Sequence, residues 1–525
     1  FRAMLKAVFR FYEVKLSYIL TSVTNKITPL EAMSKWIRIF FTTILIITIH
    51  CLHAQDYRAI NGSSYTGSLS AANNPASIVH VPSAWEITPM AIQFKESTNS
   101  LIIDSLSFVS NWKNVNVKLK NGTFKHFLMV NQDLRLFNTR IRLNSNSAIA
   151  FGISGRSYLS AKTSRLNGQD TIGSLREFMG INLNNTPVSG QTRGQMWAEF
   201  YGTYARTIFK YPNAVLNAGI TVKVNSGLAG GFMTASGFED IPGTVNNKPG
   251  YYLTNGNLDY GYSSNMDVLD TSTTYQNARK DFFRKTFSTI GISLGAEYII
   301  PQGEGDDNGY GYTLKIGASL LDLGNNNFQY SEFSRSAVLN KSNVSDSLIE
   351  TSTDNTNSPS AFADTLQSIA GSTSTPTGNF KIFQPARLVI NVDKQIARNF
   401  FINADLTVPL TVFLGKKKLY VRDMNFFSLT PRFETKGFGI YLPTSLNTKM
   451  HFWIGGALRA GPLLFGVHNL ANILSKNKLQ DGGAYLAFTF RFKNKSEKDS
   501  DTDNLDKPRF SAKQLRQLKC PKPIY

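Results

Sequence analysis

Gly482-Gly483-Ala484-Tyr485-Leu486-Ala487-Phe488-Thr489-Phe490-Arg491-Phe492 is the stretch that decides the fold. In an extended chain Leu486, Phe488, Phe490 and Phe492 share one face, and Tyr485, Ala487, Thr489 and Arg491 share the other. One such strand suits a sandwich core as well as a wall facing lipid, so the choice rests on recurrence. Ser147–Arg156 sets Ile149, Phe151 and Ile153 against Ala148, Ala150, Gly152, Ser154 and Arg156. Ala214–Asn225, Ser288–Ile300, Tyr310–Leu320 and Phe400–Val408 obey the same rule, with Leu, Ile, Val and aromatic residues on one face. Each is near the ~9–11 residues that a tilted strand needs to cross a bilayer. The opposite face carries Gly, Ser, Thr, Asn and single charges, which suits a hydrated lumen. The pattern predicts an all-β chain: a transmembrane antiparallel up-and-down β-barrel of about 14 strands over residues 85–492, with a small N-terminal plug.

Composition agrees. Only 18% of the 525 residues are charged and 39 are Gly, which fits strands joined by turns better than helices. No run of eighteen apolar residues lies in the body, so a bundle of membrane helices is excluded. The formal charge of +20 is partly terminal: residues 1–54 carry seven Lys/Arg against two acids, and residues 493–525 nine against five. The remainder reads as dispersed, which argues against a nucleic-acid partner and suits anionic lipid headgroups and sugar phosphates.

The ends differ from the body. Residues 1–32 read as an over-extended start. Residues 33–54 read as a signal peptide: Met33–Arg38 is basic, Ile39–Ile49 is uncharged and mostly apolar, and Ala54-Gln55 offers the cleavage point. Residues 55–84 are small and polar, lack alternation, and read either as a plug or hatch within the lumen or as a flexible leader. Residues 493–525 read as a basic periplasmic tail. The expected location is the outer membrane of a Gram-negative bacterium.

Tyr298, Tyr310, Tyr312, Phe400, Trp453 and Phe492 stand at or near strand ends, where interfacial girdles sit. Tight connections at Tyr211–Asn213, Arg398-Asn399, Lys436-Gly437 and Gly461-Pro462 contrast with long polar ones at Ala161–Thr192, Leu228–Lys285 and Leu323–Lys381. That asymmetry is expected of outer-membrane barrels. The second long connection, with Tyr251, Tyr252, Tyr260 and Tyr262, has the alternative of continuing as strands above the membrane.

No catalytic, cofactor or metal site is predicted. Gly291-Ile292-Ser293-Leu294-Gly295 matches a nucleophile elbow but lies inside an alternating strand, not at a strand-to-helix turn. Asp499–Asp503 opens like a calcium loop, yet Asn504 and Phe510 occupy the Gly and Glu positions. His80, His126, His451 and His468 form no i,i+4 pair. Arg156, Lys223, Glu297, Lys315, Asp405, Arg459 and Arg491 are the predicted lumen-lining charges, set to pair across the barrel or to line a conduit.

Two stretches resemble known families. Ala72-Asn73-Asn74-Pro75-Ala76 resembles the Asn-Pro-Ala hatch of the long-chain fatty-acid transporter family. Gly455–Gly466, His468–Leu470 and the final strand resemble the end of Bacteroidota outer-membrane barrels that carry a domain of unknown function, near the type IX secretion accessory barrels. The first resemblance implies passive uptake or binding of a hydrophobic small molecule, with Asn73, Asn74, Pro75 and Ala76 in the hatch. The second leaves an alternative, a non-transporting platform for secretion or surface-assembly proteins. An apolar lumen beside the hatch would favour transport; a blocked, charge-paired one would favour the platform.

Overall fold

Pro212 and Asn213 reverse the chain in two residues, and Ser145 and Asn146 do the same where the Asn146 amide donates to Asn144 Oδ1 at 2.9 Å. Turns of this kind join long antiparallel strands into a wall. A computed structural model of the chain describes residues 57–492, apart from 105–115, 268–274, 303–310, 355, 357, 416–417, 424–425, 448–450 and 472–480. The signal-peptide, tail and Tyr310 readings lie outside the described residues.

Fourteen antiparallel strands form a closed ring. They are β1 (Trp85–Thr98), β2 (Gly122–Asn144), β3 (Ser147–Gly168), β4 (Val188–Tyr211), β5 (Ala214–Val245), β6 (Ser288–Pro301) and β7 (Tyr312–Gln329). There follow β8 (Arg387–Ala397), β9 (Phe400–Pro409), β10 (Phe426–Glu434) and β11, in two pieces, Phe438–Tyr441 and Thr444–Asn447. The last are β12, also in two pieces, Phe452–Ile454 and Gly456–Ala460, then β13 (Leu463–Val467) and β14 (Asp481–Phe492). β1 pairs with β2 on one side and β14 on the other, so the sheet has no free edge.

Facing follows the period of two. Phe151, Ile153, Ile220, Val222, Ile402 and Leu406 are exposed on the outside, while Ala148, Ser154, Asn217, Thr221, Asn403 and Thr407 are buried inside. An outer belt of bare aliphatic side chains is what lipid contact requires. At the end where β1 begins and β14 finishes, Trp85 stacks on Phe492 with ring centroids 3.8 Å apart. Two predicted girdle aromatics face the other way. Register shifts between Tyr312 and Leu314 at the start of β7, so Tyr312 turns inward although Leu314 follows the strand rule. Trp453 is also buried, on an inward position beside Ser445.

The long connections are shorter than the sequence suggested, because the strands overrun the membrane. β3 continues to Gly168, β5 to Val245 and β7 to Gln329. The alternative of strands above the membrane holds for the Leu228–Lys285 stretch: Lys248–Tyr262 pairs with the upper part of β5, and Arg335–Val338 adds to it. Helices Leu175–Asn182, Tyr275–Arg284, Asp346–Asp354 and Pro359–Ile369 belong to these connections. Leu253, Tyr260, Leu339, Leu366 and Ile369 pack into a small apolar core there. Asn379–Phe383 pairs with the end of β7 and, in parallel, with Leu419–Tyr420.

Candidate functional site

The inward face carries two tiers of charge. Lys95, Arg156, Lys223 and Asp322 stand at one height, nine or ten positions along strands that start at Trp85, Ser147, Ala214 and Tyr312. Asp322 is the hub. Its carboxylate accepts Arg156 Nη1 and Nη2 at 2.8 and 3.1 Å, Lys223 Nζ at 2.6 Å and Arg387 Nη1 at 2.8 Å. Arg156 also donates from Nε to Asp133 at 2.7 Å and lies 3.6 Å from Glu199. Arg387 is 3.7 Å from Asp423, which in turn pairs with Lys95. The chain of contacts thus runs from β2 and β3 through β7 and β8 to β1, and all these side chains are buried. Strands β1 and β8 are half the ring apart, so the tier crosses the lumen. Such a network is tolerated only because the partners satisfy one another; each charge alone would be very costly there.

The second tier lies near the turn end. Arg432 pairs with Asp393 and, at 2.9 Å, with Glu434. Tyr312 Oη donates to Asp393 at 3.0 Å and accepts from Arg432 Nη2 at 2.7 Å, which is what the inward turn of Tyr312 supplies.

Residues 57–84 bind to this wall. They contain three short 3-10 turns, Arg58–Ile60, Gly67–Ala72 and Pro75–Ile78. Asn61 donates to Asp405 at 2.6 Å, Ser63 to Glu434 at 2.6 Å, and the Ser68 amide to Glu86 at 3.0 Å. Arg140 donates from Nε to the Ile78 carbonyl at 2.6 Å. Gly67 has φ +60°, and a Cβ there would overlap the Glu86 carboxylate, so a larger residue would strain the backbone and push Glu86 off the Ser68 amide.

The Asn-Pro-Ala stretch has its own seat. Asn74 caps the last 3-10 turn by accepting from the Ala76 amide at 3.0 Å and donates to the Ala296 carbonyl at 2.9 Å. Ser319 donates to the Asn73 carbonyl at 2.6 Å. Gly219, Gly295 and Gly317, on three neighbouring strands, clear the wall beneath it. A Cβ on Gly219 would stand 2.5 Å from the Pro75 carbonyl carbon, and one on Gly295 would overlap Asn74 Oδ1.

Of the seven predicted interior charges, Arg156 and Lys223 sit in the upper tier. Asp405 holds Asn61 and Asn391, and Lys315 lies 4.1 Å over the Tyr312 ring with Nζ 3.3 Å from Ser64. Glu297 is buried beside them, with no ion pair within 4.0 Å among the described residues. Arg459 donates to Tyr441 at 3.2 Å and covers the Tyr65 ring, while Arg491 donates to the Tyr65 carbonyl at 2.8 Å. Sequence reading missed Asp322, Arg387, Asp423, Asp393 and Arg432. Asp393 and Arg432 were within reach as single charges on an inward face. Asp322 was not: register shifts between Leu320 and Leu323, and Asp322 has φ 57°, so alternation breaks there.

Above the upper tier the interior turns aromatic. Tyr158, Trp197, Phe328, Phe380, Ile382 and Val421 form one buried cluster. Phe232, Tyr330 and Leu419 pack against it, with Tyr330 and Phe380 centroids 4.7 Å apart. Ser293 lies in β6 and accepts the Asp322 amide at 3.1 Å, so its motif is a strand element.

Three solved structures illustrate what the chain is similar to. A FadL homologue of Pseudomonas aeruginosa is 10% identical, with 82% of this chain and 95% of that one covered and a TM-score of 0.36. The toluene transporter TbuX of Ralstonia pickettii is 10% identical over 81% and 94%, TM-score 0.37. The toluene transporter TodX of P. putida is 10% identical over 82% and 95%, TM-score 0.33. Scores of this size do not establish common architecture. No curated protein matches the sequence. Residues 86–469 match the family of unknown function DUF5723, from the second residue of β1 to just past β13, and the chain belongs to that family.

Proposed function

We propose that the protein is an outer-membrane barrel that binds and passively admits small hydrophobic molecules from its outer face, and that its lumen is shut at rest. The observation that carries this reading is the buried aromatic cluster of Tyr158, Trp197, Phe328 and Phe380, set at the loop end of the interior above the charged tier. Its charged neighbours lie at its lower edge, where Trp197 Nε1 donates to Glu199 at 3.2 Å and Arg156 covers the Tyr158 and Trp197 rings; the Phe328 and Phe380 side suits an apolar solute better than a sugar or an ion. Residues 57–84 act in this reading as the hatch, with Asn73, Asn74, Pro75 and Ala76 seated on the glycine patch. The segment also packs apolar side chains on the wall, Tyr57, Ile60 and Leu69 with Tyr441, Leu464 and Tyr485, and Ile78 and Val79 with Tyr201, so its movement in this reading exposes two small apolar clusters. The toluene transporters named above bear the same kind of activity in their names; here the reading stands on the aromatic cluster alone.

A second reading is favoured by the upper tier: a barrel crossed by buried ion pairs is suited to be a closed platform for protein partners. Uptake separates the two. The chain from Gln55, refolded into liposomes, should admit a fluorescent fatty acid and exclude small sugars, and lose that selectivity without residues 56–76. A folded barrel, recognised by heat-modifiable gel mobility, that admits neither would leave the platform.

A further inference from the structure

Every guanidinium in the two interior tiers meets a carboxylate, but one cluster of cations at the outer mouth does not. Arg193 on β4 points inward, four residues loop-ward of Trp197, and is only 7% exposed. Its Cζ lies 4.9 Å from the Tyr420 ring centroid, and the Cζ of Arg422 lies 5.3 Å from the same ring. Arg422 Nη2 donates to Tyr420 Oη at 2.9 Å. Arg193 donates to the Lys418 carbonyl at 3.3 Å and to Gln191 at 3.0 Å, while its buried Nε has no acceptor. Lys418 is exposed and lies 5.3 Å over the Phe383 ring, and Lys162 adds its field at Tyr420. Among the described residues no carboxylate stands within 4.0 Å of Arg193, Lys418 or Arg422.

Gathering like charges around a buried arginine is unfavourable unless an anion joins them. Burial raises the Tyr420 phenol, yet the Arg422 hydrogen bond and the charges of Arg422, Lys162 and Arg193 outweigh it, and its pKa falls below the ordinary value. The same cations would draw an anion from outside. A chain that pairs Arg156, Arg387 and Arg432 with its own carboxylates leaves this group for a charge from outside.

We infer that Arg193, Lys418, Tyr420 and Arg422 form a binding site for a phosphoryl group at the outer mouth of the barrel. Two guanidinium forks, an ammonium and a phenol can serve the several oxygens of a tetrahedral dianion, where a planar carboxylate would use fewer of them. Leu419–Tyr420 pairs with Asn379–Phe383, and Arg193 and Gln195 of β4 donate to the Lys418 and Phe383 carbonyls, which holds the loop segment beside β4. The phosphoryl group is carried either by an outer-leaflet glycolipid or by a small solute such as a sugar phosphate. Neither source depends on whether the lumen conducts.

The chain from Gln55, refolded in neutral detergent, is titrated calorimetrically with inorganic phosphate, with benzoate, and with mixed micelles of phosphorylated or dephosphorylated lipid A. Phosphate or phosphorylated lipid A should bind, with benzoate and dephosphorylated lipid A much weaker. The R193Q/R422Q variant should lose about tenfold or more in affinity, as expected when charged hydrogen bonds are removed. K418Q, altered at an exposed position, should lose about two- to threefold for one flexible charge. Binding of free phosphate assigns a small solute, and binding of phosphorylated lipid A alone assigns the lipid. No binding of either probe, or affinities unchanged in both variants with heat-modifiable mobility intact, overturns the site.

Discussion

Arg156 on β3 and Asp322 on β7 meet in a two-pronged ion pair, at 2.8 and 3.1 Å, although three strands separate them in the wall. The pair spans the lumen instead of running along it. A molecule moving down the axis would have to part it, and the same carboxylate also holds Lys223 and Arg387. The upper tier is thus a closure as well as a brace.

Asp322→Asn leaves three buried cations around a neutral amide. Removing one partner of a buried pair costs about 3–5 kcal/mol. The variant should unfold from vesicles at distinctly lower denaturant concentration, followed by tryptophan fluorescence. It should also admit small ions that the parent excludes.

Gly219→Ala and Gly295→Ala place a methyl group where Pro75 and Asn74 lie. Overpacking of this kind costs about 1–3 kcal/mol, here charged to the seat of the N-terminal segment and not to the barrel. Amide exchange at residues 67–78 should accelerate in both variants. Gly202→Ala, with nothing within 4 Å of its Cβ position, should leave exchange unchanged.

Ile220 lies six residues along β5 from the turn, exposed on the outer face. An arginine there should destabilise the barrel by about 2–4 kcal/mol, the cost of a cation near the bilayer midplane. Ile241→Arg, on the same strand but well above the membrane, should cost almost nothing by the same vesicle unfolding assay.

Asp267 sits in the connection above the membrane, where its carboxylate accepts the Tyr262 hydroxyl at 2.7 Å. Burial raises its pKa, which hydrogen bonds from Tyr262 and Ser331 and the charge of Lys285 only partly offset. Because the folded value lies above the unfolded one, the folded state holds the proton longer, and stability falls as pH rises from the unfolded value through the folded one. Protease resistance of this region should therefore be higher at mildly acidic pH than at neutrality. Asp267→Asn should flatten that dependence and resist better at pH 7.

The wall was legible because a strand with one face in lipid must alternate, and β3, β5, β6, β9 and β14 do so without interruption near their turn ends. Tyr312 and Asp322 escaped because each adjoins a register shift, after which period-two counting assigns the wrong face. The basic mouth escaped for a different reason. Lys416-Lys417-Lys418 and Arg422 were averaged into a dispersed charge, and nothing in their spacing tells that Leu419–Tyr420 pairs with a segment 37 residues earlier in the chain. Likewise, alternation fixes facing but not what fills the interior, so the hub at Asp322 emerges only once β3, β5, β7 and β8 are closed into a ring.

In the proposed function the hatch of residues 57–84 must move, as well as the upper tier, before a solute passes, and a reversible lock on the hatch tests that. Ser68 Oγ and Thr88 Oγ1 lie 2.8 Å apart, both buried, one on the N-terminal segment and one on β1. Short side chains this close suit a disulfide. The chain from Gln55 carrying S68C, T88C and C520S should fold when oxidised, yet stop admitting a fluorescent fatty acid into liposomes. Reductant should restore the uptake of the C520S parent. An oxidised barrel that admits the fatty acid as fast as the reduced one would contradict the claim.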